Sequence, residues 1–546
     1  MSQDTTRETP EAWKSLVVGG RFMDRFQPSP IRNELVSDTW GIEAVKPRDV
    51  QIGIESPKWS YWGGNIKKVG DTYNLFVCRW PENHPKGHMA WNGSTVVRAT
   101  APNPWGPYQP AEEIGKGHNP ELFRAKDGSF ILYVIDGYYE SKRLDGPWTP
   151  NKFEFRPRGR RVIEGFSNFS FAPRRDGSVI AVCRGGGIWF SQTGKGPWNQ
   201  VTNRRAYPNV KGAFEDPVIW KTDVQYHMIV NDWLGRIAWY LRSKNGFEWK
   251  VEPGEAYLPG IDRYEDGTKV DWYKYERLKV LQDEKGRAYQ ANFAVIDYSK
   301  WEDKPNDIHS SKNICLPLTK GRLLSVLNKN PLGPNTEKIE VKILAEPGFD
   351  PQQDLNYASL RFGASDEVNF GRGCRLIESR SDGKDVVLVF AGQGNGFKED
   401  HFAGKLIGET SGGQLLFGYT RIPGVEYETP FLSADLPVVS VNEGQLDFKV
   451  KVTNFGMKVS GDQMLRVVLF SDSTRQEFDL SLPPLHKNQE VELSESIQSA
   501  LDLDLQYQVK ITANGQSTPL YETENHKKAP QLIIGRSETT EADTNR

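Results

Sequence analysis

The chain has 546 residues, too many for one ordinary core, so two or three domains are expected. Aromatic residues make up 11%, and 51 Gly with 34 Pro supply many turns, a composition that favours an all-β chain over helical bundles. The 69 basic residues nearly cancel the 71 acidic ones, which gives no support to bulk nucleic-acid or membrane-surface binding, and no run of 18 apolar residues marks a membrane span.

The first ten residues are polar and lack the apolar stretch of a secretory signal. The chain therefore reads as cytoplasmic, or as the mature form of a periplasmic or extracellular protein. Residues 1–50 are expected to form an extended segment packed on the domain that begins at residue 51. A spaced refrain organises residues 51–334: Gly106-Pro107-Tyr108, Gly146-Pro147-Trp148, Gly196-Pro197-Trp198 and a weakened Gly246-Phe247-Glu248-Trp249, at intervals of 40, 50 and 50 residues. Each copy closes a segment with a strand, a tight turn and a second strand, and self-similarity at that period points to propeller blades.

Five opening strands align by this rule. They begin at Trp62-Gly63-Gly64-Asn65, His118-Asn119-Pro120-Glu121, Ser167-Asn168-Phe169, Glu215-Asp216-Pro217 and Tyr275-Glu276-Arg277. Turns at Gly70-Asp71, Asp127-Gly128, Asp176-Gly177, Thr222-Asp223 and Lys285-Gly286 come after them, and Asp-Gly between apolar runs is a strong hairpin signal. The fold class is thus all-β: a five-bladed β-propeller followed by one or two β-sandwich, immunoglobulin-like domains. Residues 335–435 read as a β-sandwich and 436–535 as an immunoglobulin-like one, with a polar tail at 536–546 expected to be disordered. Four scattered cysteines lack C-x-x-C spacing; Cys78 and Cys183 end apolar runs and read as buried free thiols.

A propeller brings the starts of its inner strands to one axial funnel. The polar residues there are His118, Asn119, Glu121, Asn168, Glu215, Asp216, Glu276 and Arg277. Carboxylates from separate blades meeting in one pocket are what glycoside hydrolysis requires: one protonates the leaving oxygen, while another activates water or attacks the anomeric carbon. Asp216, Glu215 and Glu276 lead as catalytic residues, with Glu121 and His118 as further candidates for acid or base. An Asp or Glu before Pro also commonly caps a turn. Trp62, Asn65, Arg79, His88, Asn119, Asn168, Arg184 and Arg277 are assigned to substrate binding, the arginines through forked hydrogen bonds to sulfate or carboxylate. The run Arg156-Pro157-Arg158-Gly159-Arg160-Arg161 reads as a solvated loop. His84 and His88 are four apart, but Pro85 and Gly87 between them argue against a helical metal site. No metal ligand set and no required cofactor emerge, and a structural cation has no ligand spacing behind it.

The Phe214-Glu215-Asp216-Pro217 and His118-Asn119-Pro120-Glu121 starts, with the Gly-Pro-Trp blade ends, resemble the five-bladed β-propeller glycoside hydrolases, a superfamily of arabinanases, xylosidases, invertases and 3,6-anhydrogalactosidases. The resemblance covers about half the chain. It implies an acid and a base carboxylate, a third carboxylate that tunes the acid, and a pocket for a terminal sugar. Blade one departs from it: where the resemblance implies a catalytic Asp, this chain has Trp62-Gly63-Gly64-Asn65, so Glu121 or an imidazole is left as the candidate base. Three readings stand. The first is an exo-acting glycosidase on an acidic or sulfated, marine polysaccharide such as a 3,6-anhydrogalactose-containing galactan. The second is a polysaccharide lyase using His118 or Tyr138, and the third a non-catalytic carbohydrate-binding propeller. The partner is an oligosaccharide in each case, without nucleic acid or membrane. The C-terminal domains are assigned to packing, to the pocket rim or to a homodimer contact.

Overall fold

The computed structural model describes residues 7–37, 46–160, 162, 166–305, 311–442, 444–470, 474–499 and 508–523. The tail at 536–546, Arg161 and Tyr507 lie outside them.

Four antiparallel sheets of the propeller carry four-stranded meanders. Blade one is Trp59–Val69, Thr72–Pro81, Thr95–Ala101 and Gln109–Lys116; blade two is Glu121–Arg124, Phe130–Val134, Gly137–Ser141 and Thr149–Asn151. Blade three is Ser170–Pro173, Val179–Val182, Ile188–Ser191 and Trp198–Gln200, edged by the parallel strand Phe155–Arg156. Blade four is Phe214–Lys221, Tyr226–Asp232, Ile237–Ser243 and Lys250–Tyr257. Blade five has three strands, Lys274–Gln282, Ala288–Ile296 and Lys312–Pro317. The inner strands pack side by side from one to five, and five returns to one.

The turn chemistry expected from the sequence holds the first hairpins. The Asp127 carboxylate accepts from the Ser129 amide at 3.0 Å and its hydroxyl at 2.6 Å, and Asp176 repeats the pattern with Ser178. The refrain sits where the chain enters the fourth strand, and its Tyr108 and Trp198 are buried between blades. Blade five lacks a refrain and is edged instead by the N-terminal segment. The Ile54 amide donates to Asn313 O at 2.9 Å and the Gln27 amide to Pro317 O at 2.9 Å.

Inner strands are also tied by side chains. Asn65 exchanges two hydrogen bonds with the Leu122 backbone, at 3.1 and 3.0 Å, joining blades one and two. Glu121 of blade two accepts from Ser170 Oγ (3.0 Å) and the Phe171 amide (2.9 Å) of blade three, and pairs with Lys279 of blade five. Burial pulls Lys279 down to about 8, against the Glu121 carboxylate that raises it.

Beyond the propeller, the strands Leu324–Val326, Lys338–Ile343, Asp385–Ala391, Cys374–Asp382, Arg361–Gly363, Ala403–Glu409 and Leu415–Arg421 form one sheet in that order. It curls until its edges meet, with the Arg322 amide donating to Phe417 O at 2.7 Å. Two further four-stranded sheets enclose a common core of Leu446, Phe448, Val450, Val467, Leu469 and Ile511, a β-sandwich. All four cysteines are buried free thiols.

The arginine run is not a solvated loop. Arg156 is exposed, but Arg158 and Arg160 are buried against the sandwich: Arg158 Nε reaches Asp435 Oδ1 at 2.6 Å, and Arg160 Nη2 donates to Ser433 Oγ at 2.8 Å and Leu520 O at 2.7 Å. A guanidinium can satisfy several carbonyls at once, so a basic run can be interdomain glue.

Removing one member of a buried ion pair strands the other charge, which costs about 3–5 kcal/mol. Lys279→Met is expected to lower unfolding stability by about that amount in urea denaturation, and a loss under 1 kcal/mol would show that Glu121 is held without it.

Candidate active site

One residue at the head of each inner strand takes a left-handed backbone. The φ values are 61° at Gly63, 53° at Asn119, 52° at Asn168, 54° at Asp216 and 53° at Arg277. The strand register slips across this point in blades one, four and five, so these residues belong to bulges. Four non-glycine residues in a sparsely allowed region, one per blade at the same place, mark where the fold holds backbone strain at its axis.

The five positions form a polar ring. Asn119 Nδ2 donates to Asn168 Oδ1 at 2.7 Å, and Asn168 Nδ2 donates to Asp216 Oδ1 at 3.0 Å and to Glu215 Oε1 at 2.7 Å. Arg277 Nη1 donates to Asp216 Oδ1 at 2.8 Å, and its amide to Oδ2 at 3.1 Å. Both Asp216 oxygens are therefore engaged and the side chain is fully buried. Asp216 positions Asn168 and Arg277 and holds negative charge beside Glu215, which is not the place of a proton donor open to substrate.

The residues just before the five ring members are Trp62, His118, Ser167, Glu215 and Glu276. Glu215 keeps 21% of its side chain exposed. Burial, then the Asp216 carboxylate, pushes it up to about 7, with Arg184 pulling the other way from 3.5 Å. A carboxyl group near 7 is suited to donating a proton at neutral pH. Glu276 is paired through Oε2 with Lys300, whose ammonium also lies 4.5 Å from the centre of the Trp62 ring. Among the described residues Glu276 Oε1 has no hydrogen-bond partner. Glu215 thus stands beside the Asp216 carboxylate and the Arg184 guanidinium, and Glu276 beside the Lys300 ammonium.

His118 is buried, and burial first, with the Arg277 and Lys300 charges behind it, holds its pKa well below the ordinary imidazole value. Its Nδ1 lies 3.0 Å from Ser94 Oγ and 3.3 Å from Cys78 Sγ. Ser94 donates its own proton to Gly117 O and Cys78 its proton to Trp62 O, so both heteroatoms accept from Nδ1–H. This assigns the neutral tautomer with a lone pair on Nε2, an acceptor of low basicity.

Several expected site residues lie elsewhere. Asn65 and Glu121 are ties between blades rather than site groups. His88 is buried, with Nδ1 2.7 Å from Ser311 Oγ, between the edges of Trp62 and Trp80. Trp62 is itself buried beneath Lys300, not an open sugar platform. Arg79 stacks on Trp59 at 4.2 Å and lines a separate lateral pocket of about 410 Å³ with Tyr61, Tyr108 and Glu55. The alternation of strand residues explains this: Tyr61 and Arg79 are a cross-strand pair on one face of blade one, and Trp62 with Cys78 are the next pair, on the other. Arg184 stays beside Glu215, partly exposed. Lys300 was not anticipated; it lies in the loop between the last two strands of blade five, without a motif.

No family model matches this chain, and no curated protein is similar to it in sequence. Solved structures with a likeness to it include proteins described as glycoside hydrolases. An α-L-arabinofuranosidase from Lactobacillus brevis is 11% identical over 48% of this chain and 92% of that one, with a TM-score of 0.34. A protein described as a glycoside hydrolase is 11% identical over 86% and 97%, with 0.35. The family-43 protein BlXynB of Bacillus licheniformis, in mutant form, is 9% identical over 87% and 91%, with 0.32. Overlaps this low carry no chemistry across, and the blade count rests on the strand order itself.

A carboxyl group with a folded pKa of about 7 and an unfolded one near 4.5 makes folding less favourable as pH rises between those values, and by a constant amount above them. Glu215→Gln is expected to match the parent in stability below about pH 4.5 and to exceed it by up to about 3 kcal/mol above pH 7, as read by urea melts at both pH values.

Proposed function

We propose that this protein is a glycoside hydrolase that removes a terminal sugar from an oligosaccharide. The observation that carries the reading is the pair Glu215 and Glu276: two carboxyl groups from adjacent blades at one funnel, one raised to about 7 and one ion-paired with Lys300. Glu215 serves as the acid that protonates the departing glycosidic oxygen. Glu276, ionised, serves as the base that activates water or as the nucleophile at the anomeric carbon. Asn168, bonded to both Glu215 and Asp216, orients the acid, and Asp216 tunes it. His118 presents Nε2 as an acceptor for a sugar hydroxyl.

Arg184 and Lys300 border the carboxyl pair, which supports an acidic or sulfated substrate. Half-buried Trp233, just after the second strand of blade four, and Tyr273, just before the first strand of blade five, suit contact with a sugar face. Elimination finds less support: His118 is too weakly basic, and Tyr138 is buried in the core, stacked 4.4 Å from Phe153.

The deciding experiment is incubation with defined algal and plant oligosaccharides, including anhydrogalactose-ended and uronate-ended ones, read by product mass and ultraviolet absorbance. One sugar released with addition of water is expected; an unsaturated product, or binding without turnover, refutes the reading. Glu215→Gln and Glu276→Gln are each expected to lower kcat by about 10²–10⁴. Activity that needs protonated Glu215 falls as pH rises through about 7, and a basic limb that stays at the same pH in Glu215→Gln would assign it to another group.

A further inference from the structure

The polar ring has four side chains and one gap. Blades two to five contribute Asn119, Asn168, Asp216 and Arg277, and blade one contributes Gly63. A Cβ at Gly63 would lie 3.4 Å from Asn119 Oδ1, 3.6 Å from Asn119 Cα and 3.7 Å from Arg277 Nε, all ordinary contacts. These two groups therefore border the volume that a fifth ring side chain would fill. Both are buried, and among the described residues Asn119 Oδ1, Arg277 Nε and Arg277 Nη2 have no hydrogen-bond partner. Three unmet polar atoms beside one gap call for a ligand, because a buried polar atom left unsatisfied has lost its hydration with nothing in return.

The polarity of the gap follows from the ring. Asp216, ionised against Arg277, can only accept, so the Asn168 group facing it is its NH₂. That turns Asn168 Oδ1 toward Asn119, which must donate through Nδ2 and leave Oδ1 toward the gap. On the other side Arg277, with Nη1 spent on Asp216, offers the forked edge Nε and Nη2. A cation is excluded by the guanidinium and an anion is opposed by Asn119 Oδ1. A neutral oxygen that both accepts and donates fits.

The geometry points to a one-hydroxyl site at Gly63, in which a single O–H group accepts from Arg277 and donates to Asn119 Oδ1. Two sources share this chemistry, a water and a hydroxyl of the terminal sugar. The sugar source rests on the glycosidase reading; the site itself does not.

The test is a high-resolution crystal structure of the whole protein, free, soaked in bromide, and soaked separately in D-galactose, L-arabinose and D-xylose. One oxygen within about 2.6–3.2 Å of Asn119 Oδ1 and of Arg277 Nε or Nη2 is expected in the free crystal. A bromide peak there, or an empty gap, overturns the proposal. Gly63→Asn separates the two sources, since an asparagine takes this backbone at Asn119 and Asn168 and its side chain fills the gap. If a sugar hydroxyl replaces the water, Gly63→Asn binds that sugar at least tenfold more weakly by calorimetry. If the water stays beneath every sugar, the variant binds them as the parent does and the ligand is solvent. An oxygen in the gap with no hydrolysis of any oligosaccharide would refute the glycosidase reading and leave the site standing.

Discussion

The site depends on a backbone constraint repeated around the axis. At each strand head stands a left-handed residue, and in blades one, four and five it breaks the register, so that two consecutive side chains approach the axis instead of alternating across a sheet. The second of each pair joins the ring, and in blades four and five the first reaches the funnel as Glu215 and Glu276. Asparagine and aspartate tolerate that backbone better than most residues, which explains their presence in three of the five places. Arg277 is the outlier, and its ion pair with Asp216 holds it there.

The ring in turn sets the electrostatics around it. Asp216, neutralised by Arg277, still raises Glu215, while Lys300 compensates Glu276. Two glutamates in matching positions of neighbouring blades thus meet different charged partners, supplied by different segments. The layer beneath has its own pair, Glu121 with Lys279, which ties blades two and five across the axis.

Much of this was legible in the sequence because turn chemistry is local. The Asp-Gly hairpins and the Gly-Pro-aromatic refrain located the strand heads, and with them Asn119, Asn168, Glu215, Asp216, Glu276 and Arg277. What sequence could not supply was the choice between adjacent residues. A bulge shifts a strand by one position, and that shift decides that Asp216 is buried in the ring while Glu215 faces the funnel. Asn65 and Glu121 looked like site residues because their partners, the Leu122 backbone and Lys279, lie in other blades. Lys300 stands in a loop without a repeat, and the docking role of Arg158 and Arg160 depends on a module nearly 300 residues away.

Blade five, edged by backbone pairing of Ile54 and Gln27 with the strand Lys312–Pro317, joins the two ends of the propeller sequence. The first part of that contact leaves the ribosome early and its partner strand last among the blades. Four blades can assemble their own hairpins as they emerge, but the circle cannot be completed until residue 317 is available. The axial ring draws on all five blades and exists only afterwards, so a nascent or truncated chain can hold much of its sheet structure while lacking the arrangement on which its chemistry depends.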